Sequence, residues 1–195
     1  MKTLTAVLLA GGESRRMGRD KATLMLDGEP LWSRQLRTLR ELQPDKILIS
    51  ARTRPAWCPP EIESVLDQSP SHGPLSGLTA ALKRIQTTHL LALAVDLPQM
   101  TSAHLNELWS LARMGIGVVP RNGRFFEPLC AIYPVEGVNG VEQGLVAANF
   151  SLQSVIKTLA TRRQLEFYTI NRSERFFYRN VNTMLQFSES SCPPC

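Results

Sequence analysis

The 195-residue sequence predicts an α/β fold built on a mostly parallel, mixed sheet with helices on both faces. Three observations carry this. Short apolar runs alternate with glycine- or proline-marked loops and amphipathic stretches through about the first 115 residues, the pattern of a parallel sheet wound by right-handed crossovers. The run Leu90 to Val95 is apolar at every position, as a strand covered on both faces must be. The turn Arg121-Asn122-Gly123-Arg124 then sends Phe126 to Tyr133 back as an antiparallel strand, which makes the sheet mixed.

In chain order, Thr5 to Leu9 reads as a buried strand that two adjacent glycines, Gly11 and Gly12, end abruptly. Asp27-Gly28 signals a turn, and Pro30 suits the first turn of a helix whose apolar face is Trp32, Leu36 and Leu39. Arg34, Arg37 and Arg40 fall on the other side, as a solvated face. Lys46 to Ser50 is a second strand, and proline-rich residues 52–60 are loop. A third strand, Ser64 to Leu66, ends in Asp67.

A glycine loop, Ser71 to Gly77, enters a helix with Leu75, Leu78, Leu82 and Ile85 as its buried stripe. Gly77 in its first turn costs about 1 kcal/mol relative to Ala, so close backbone approach to a ligand is its expected reason. His72 reads as a loop histidine. Asp96 stops the central strand, where open α/β sheets bind ligands. Thr101-Ser102 caps a helix with Leu105, Leu108 and Ala112 inward, and Trp109 reads as a core or edge aromatic. Ile116 to Pro120 is a strand. Ser151 begins a helix carrying Leu152, Val155, Ile156 and Leu159, Glu166 to Ile170 is a late strand, and residues 180–183 close the ordered chain.

The length suits one domain, taken as residues 1–186, with 187–195 as a flexible tail. No apolar run reaches the about 18 residues of a membrane span, and no signal peptide is recognisable, so a cytoplasmic protein with no membrane contact is expected. The net charge of +5 is scattered and not interleaved with aromatics. That argues against nucleic acid and for an anionic small molecule. Of the four cysteines, Cys192 and Cys195 have the spacing of a zinc or redox pair but lie in the tail with no second pair.

The chemistry concentrates in Leu8-Leu9-Ala10-Gly11-Gly12-Glu13-Ser14-Arg15-Arg16-Met17-Gly18-Arg19-Asp20-Lys21. Glycines bare backbone N–H groups and admit phosphate oxygens, while Arg15, Arg16 and Lys21 bring cations. Together they suggest a triphosphate site. A Walker A loop is excluded, because Arg16 and Met17 stand where its second glycine belongs; Glu13 and Ser14 break a dinucleotide fingerprint. Asp67 and Asp96, each at a strand end, are candidate ligands for a hard cation that shares its shell with phosphate oxygens.

This string resembles the signature of the sugar-nucleotide and cofactor nucleotidyltransferases, and within them the molybdenum cofactor guanylyltransferases. The resemblance implies the Rossmann-like nucleotidyltransferase architecture over nearly the whole chain. It implies GTP and molybdenum-molybdopterin as substrates, Mg²⁺ as cofactor, and molybdopterin-delivery and molybdoenzyme-maturation proteins as partners. It also implies that Leu9, Ala10, Gly11 and Gly12 contact the nucleotide through backbone, and that Arg16 and Lys21 neutralise phosphate. Asp67 would lie at the nucleotide, Asp96 would bind nucleotide and Mg²⁺, and Gly77, Asn180 and Asn182 would lie near molybdopterin.

In that family the acceptor's own phosphate attacks, consistent with the lack of a recognisable Ser-His-Asp or Cys-His arrangement here. Ser50 departs from the pattern: relatives commonly carry Asn there, and one hydroxyl replaces an amide's donor and acceptor. Two alternatives remain. A cytidylyltransferase or other NTP:phosphate nucleotidyltransferase is one, although the Gly-Asp-x-Gly segment common to the cytidylyl relatives is missing around residues 149–154. A non-catalytic nucleotide-binding subunit is the other.

Overall fold

The computed structural model describes residues 1–11, 20–67, 71–146 and 150–181. Gly12, Arg15, Arg16, Asn182, the expected tail, Cys192 and Cys195 lie outside the described residues.

The first strand, β1 (Leu4–Leu9), is buried at every position. Asp27 and Gly28 both have positive φ, so the predicted turn joins a small hairpin, β2 (Met25–Leu26) and β3 (Glu29–Pro30). Helix α1 (Leu31–Glu41) follows directly, with Pro30 as its N-cap. Its buried face is Leu31, Gln35, Leu36, Thr38 and Leu39. Trp32 is only partly buried and stacks on Trp57, so Leu31 takes the inward place expected for it. Arg37 and Arg40 pair with Glu29 and Glu61, and Arg34 donates to the Pro98 carbonyl.

Next come β4 (Lys46–Ala51), β5 (Glu63–Leu66), α2 (Pro74–Arg84), β6 (His89–Ala94) and α3 (Ser102–Leu111). The expected stripes hold: Leu75, Leu78, Leu82 and Ile85 are buried from α2, and Leu105, Leu108 and Ala112 from α3. Thr101 caps α3 by accepting from the His104 N–H.

The second half differs more. Strand β7 (Gly117–Asn122) runs through Asn122, so the turn is tighter than expected. The predicted return strand is split into β8 (Phe125–Phe126) and β9 (Cys130–Pro134). Pro128 has no N–H to give a ladder, and the Cys130 N–H turns back to the Glu127 carbonyl. The pattern between Tyr133 and Ser151 predicts no element, yet α4 (Val138–Val146) forms there. Two glycines in its nine residues hide it, and one has a packing reason: a Cβ on Gly140 would lie 2.6 Å from the Leu159 side chain. Leu159 belongs to α5 (Leu152–Thr161), capped by Ser151, and β10 (Leu165–Thr169) ends the sheet.

The strand order is β10-β7-β9-β6-β1-β4-β5, with β8 beside β7. The pairs β1/β4, β1/β6, β4/β5 and β7/β10 are parallel. Strand β9 is antiparallel to both β6 and β7. The central strand β6 is therefore parallel to a neighbour on one edge only, not both as a fully parallel sheet would have it. The alternation of β1 sends Leu4, Ala6 and Leu8 to the face covered by α1 and α3, and Val7 and Leu9 to the face covered by α2, α4 and α5. From β1 the chain winds outward through α1 to β4 and β5, then returns through α2 to β6 on the other side of β1. The direction of winding reverses between β1 and β6, which opens a crevice at their C-terminal ends.

Candidate functional site

A cleft partly open to solvent occupies that crevice. Leu9, Ala10 and Gly11 reach it from the end of β1, Ser50 from β4, Asp67 from the end of β5 and Val95 and Asp96 from the end of β6. Backbone bonds fix these strand ends to one another. The Ala10 N–H donates to the Ser50 carbonyl (2.9 Å), Val95 to Leu9 (3.2 Å) and Asp67 to Ala51 (3.1 Å). The N-terminus of α2 forms another wall, through Gly73, Pro74 and Gly77. Gly73, at φ +68°, caps α2 without a side-chain hydrogen bond, so the positive end of the helix dipole opens on the cleft.

Asp67 is held from two sides. The Ser50 hydroxyl donates to its Oδ1 (3.2 Å) and the Ser71 hydroxyl to its Oδ2 (3.1 Å). This fixes one carboxylate orientation and leaves further lone pairs directed into the cleft region. At Gly77, where the sequence predicts close approach to a ligand, the chain's own side chains crowd the backbone. A Cβ there would stand 2.5 Å from Ser50 Oγ and 3.2 Å from Asp67 Oδ1. Gly11 is nearly as confined, with Asp67 Oδ2 at 3.3 Å and Ala51 Cα at 3.4 Å from a notional Cβ.

Lys21 and Asp96 form the other wall. Lys21 begins a 3-10 turn, Lys21–Thr23, whose N-cap Asp20 accepts from the Ala22 N–H (3.0 Å) and from the Trp57 indole (2.9 Å). Ala22 is fully buried, so the turn is anchored. Lys21 Nζ lies 2.8 Å from Asp96 Oδ2, with side chains 23% and 22% exposed. The ammonium is largely buried and already ion-paired, because burial of Ala22 draws the turn against the sheet end. The backbone carbonyl of Asp96 accepts from the Val181 N–H (3.0 Å), so the C-terminal segment lies against this wall. Val181 is buried, and Asn180 is exposed.

Leu9, Ala10, Gly11, Lys21, Asp67, Gly77 and Asp96 thus share one cleft, whereas Asn180 does not line it and is linked to it only through the bond of its neighbour Val181 to Asp96. Ser71, Gly73 and Leu129 join them without having been anticipated; a glycine before the proline of a helix start is the local signal that marks Gly73. The Leu129 carbonyl accepts from the Ala94 N–H (2.8 Å). Two residues earlier, burial pushes the Glu127 carboxyl up to about 6. Cys58 and Cys130 are buried and play no part, and His72 stacks on Phe150 with ring centroids 3.9 Å apart. No helix among the described residues is long and apolar enough to cross a membrane.

Among the described residues the site offers one ammonium, two carboxylates, a helix N-terminus and glycine-bared backbone. It can hold a polyanion together with a hard cation and neutralise charge that develops on phosphate oxygens. No activated Ser, Cys or His nucleophile lines the cleft among the described residues.

Comparison with known proteins bears on which polyanion. The model of the MobA-like NTP transferase domain matches residues 6–163. A probable molybdenum cofactor guanylyltransferase of Opitutus terrae is 38% identical over 182 residues, covering 92% of this chain and 90% of that one. A molybdenum cofactor guanylyltransferase of Pseudomonas fluorescens is 33% identical over 159 residues, 80% of each chain. The crystal structure of molybdopterin-guanine dinucleotide biosynthesis protein A from Archaeoglobus fulgidus superposes with a TM-score of 0.75. It is 20% identical and covers 95% of this chain and 96% of that one, which shows a shared fold.

Proposed function

The chain belongs to the MobA-like NTP transferase family, and from that premise we propose that it transfers GMP from GTP to the terminal phosphate of molybdenum-molybdopterin. In this reaction an acceptor phosphate oxygen bonds to the α-phosphorus of GTP, the α–β phosphoanhydride bond breaks, and pyrophosphate leaves. No protein nucleophile is needed, which agrees with the make-up of the cleft. The observation that carries the reading is the convergence of Gly11, Lys21, Asp67 and Asp96 on one cleft at the sheet's switch point.

The roles follow from the positions. Gly11 and Ala10 let a nucleotide lie against the end of β1 with no side chain between, and Gly77 does the same on the α2 side. Lys21 neutralises triphosphate charge from its anchored turn, and Arg16 is proposed to do likewise. The donor set fits Mg²⁺, since Asp96 and Asp67 offer hard carboxylate oxygens and no imidazole or thiol lines the cleft among the described residues. Bound there, Mg²⁺ supplies charge neutralisation at the reacting phosphates. Asp96 would hold it, with Asp67 orienting the nucleotide through the geometry imposed by Ser50 and Ser71. Asn180 and Asn182 are proposed to face molybdopterin.

Two measurements test this. Pyrophosphate release from GTP, dependent on Mg²⁺ and molybdenum-molybdopterin, separates an enzyme from a non-catalytic nucleotide-binding subunit. A thermal-shift panel of GTP, CTP, ATP and UTP tests base choice. Ligand at a hundred times its dissociation constant adds about 2.7 kcal/mol, enough to rank bases. GTP should give the largest shift, and an equal or larger one with CTP would transfer the assignment to cytidylyl transfer.

A further inference from the structure

His104 lies on α3, away from the residues that line the nucleotide cleft, and its side chain is 3% exposed. Its Nε2 shares a 2.7 Å hydrogen bond with the Tyr178 hydroxyl, which fixes the ring. The other nitrogen, Nδ1, is aimed at Glu107 Oε2, one helical turn on, at 3.5 Å. That is the outer limit of a hydrogen bond, so this contact to a half-exposed carboxylate is a weak one. Glu174, from the segment that follows β10, completes the group: ligand atoms of His104, Glu107 and Glu174 all lie within 4.8 Å of one another.

The charges around this group do not balance. The Tyr168 hydroxyl approaches both carboxylates, Glu107 Oε1 at 3.1 Å and Glu174 Oε1 more closely still, but a phenol has one proton to donate. Glu174 Oε2 accepts from the Asn171 N–H (2.9 Å), which adds a dipole and no charge. Among the described residues neither carboxylate has a lysine or arginine within ion-pair distance. Among the described residues, the buried imidazole thus meets two carboxylates, Glu107 exposed and Glu174 half-buried, with no Lys or Arg paired to either.

We propose that His104, Glu107 and Glu174 bind a divalent first-row transition ion of the Zn²⁺ type, at a site separate from the nucleotide cleft. Mixed imidazole and carboxylate donors suit that class, and three protein ligands leave a fourth position for water. Metal–ligand distances of about 2.0–2.2 Å in a tetrahedron put ligand atoms about 3.4 Å apart. The gap between His104 Nδ1 and Glu107 Oε2 already has this size. Burial holds the His104 pKa below its ordinary value, so the ring keeps a lone pair to donate. With Nδ1 on the metal, Nε2–H donates to Tyr178, the outer bond that orients a ligating histidine. The ion ties α3 to the segment that runs on to Val181, whose N–H holds the Asp96 carbonyl.

The test uses the full chain, treated with chelator and kept in millimolar Mg²⁺. Zn²⁺ is titrated calorimetrically, with Co²⁺ as a visible-absorption probe of tetrahedral geometry. One ion per chain should bind and, at a hundredfold excess over its dissociation constant, raise Tm by about 5–10 °C. Glu107→Gln and Glu174→Gln, at side chains that tolerate the change, should each weaken binding at least tenfold while melting like the metal-free parent. A Cys192→Ser/Cys195→Ser variant should bind as the parent does. Absence of binding, undiminished binding in both Glu variants, or loss in the cysteine variant would each overturn the proposal.

Discussion

Lys21 Nζ rests 2.8 Å from Asp96 Oδ2, joining the turn that follows the glycine loop to the end of the central strand. The pair is partly exposed, so its worth to the fold is about 1 kcal/mol, not the several of a buried pair. Its greater consequence is for function. Under the proposed function, a bound triphosphate would compete with the carboxylate for this ammonium.

Lys21→Ala should therefore weaken GTP binding about tenfold or more and slow turnover, since a charge-assisted contact is worth about 1.5–3 kcal/mol. Melting should drop by only about 2–4 °C. Isothermal titration with GTP and a melting curve decide this, and unchanged GTP affinity would remove the lysine from the phosphate site.

Asp96→Asn keeps the shape and removes the charge. Pyrophosphate release should fall on the order of a thousandfold, the several kcal/mol lost with a metal–carboxylate contact. Repulsion from Asp67 would predict a stabilised variant, but Lys21 is the partner that Asp96 has. Tm should accordingly stay level or fall slightly. Near-normal turnover would end the metal role, and unfolding would make Asp96 structural.

Gly77→Ala puts a methyl 2.5 Å from Ser50 Oγ. Ser50 must rotate, which breaks its bond to Asp67 and should raise the KM for GTP about tenfold. Stability should hardly change, because Ala gains up to about 1 kcal/mol over Gly in a helix. In a Ser50→Ala background the same substitution should add little, and kinetics of the double-mutant cycle show whether the two sites couple.

Glu127 gives a pH signature. Its folded pKa, about 6, stands above the ordinary 4.5 because burial penalises the charged form. The folded state thus holds the proton more tightly between these values, and this group's contribution to stability falls as pH rises through that window. Glu127→Gln should raise Tm at pH 8 and not at pH 4. Solvent screening limits the gain to about 1 kcal/mol, or about 2–4 °C. Equal shifts at both pH values would show that the carboxylate's charge is not the cause.

The sequence by itself determined most of the strands and helices, because apolar periodicity, turn glycines and caps act over a few residues. Thr5 to Leu9, the Leu75/Leu78/Leu82/Ile85 stripe, the Thr101 cap and the strand-end positions of Asp67 and Asp96 could all be read that way. Tertiary structure decided what those residues meet. Helix α4 exists despite its glycines because Gly140 lets it close on Leu159. The meaning of Gly77 lies in Ser50 and Asp67, brought to it from two other strand ends. Lys21 is brought onto a carboxylate 75 residues away, and Glu174 joins the helical neighbours His104 and Glu107 only because the segment after β10 folds back on α3. Contacts between distant segments depend on how the layers stack and on which side of β1 the chain returns, and no local pattern encodes either.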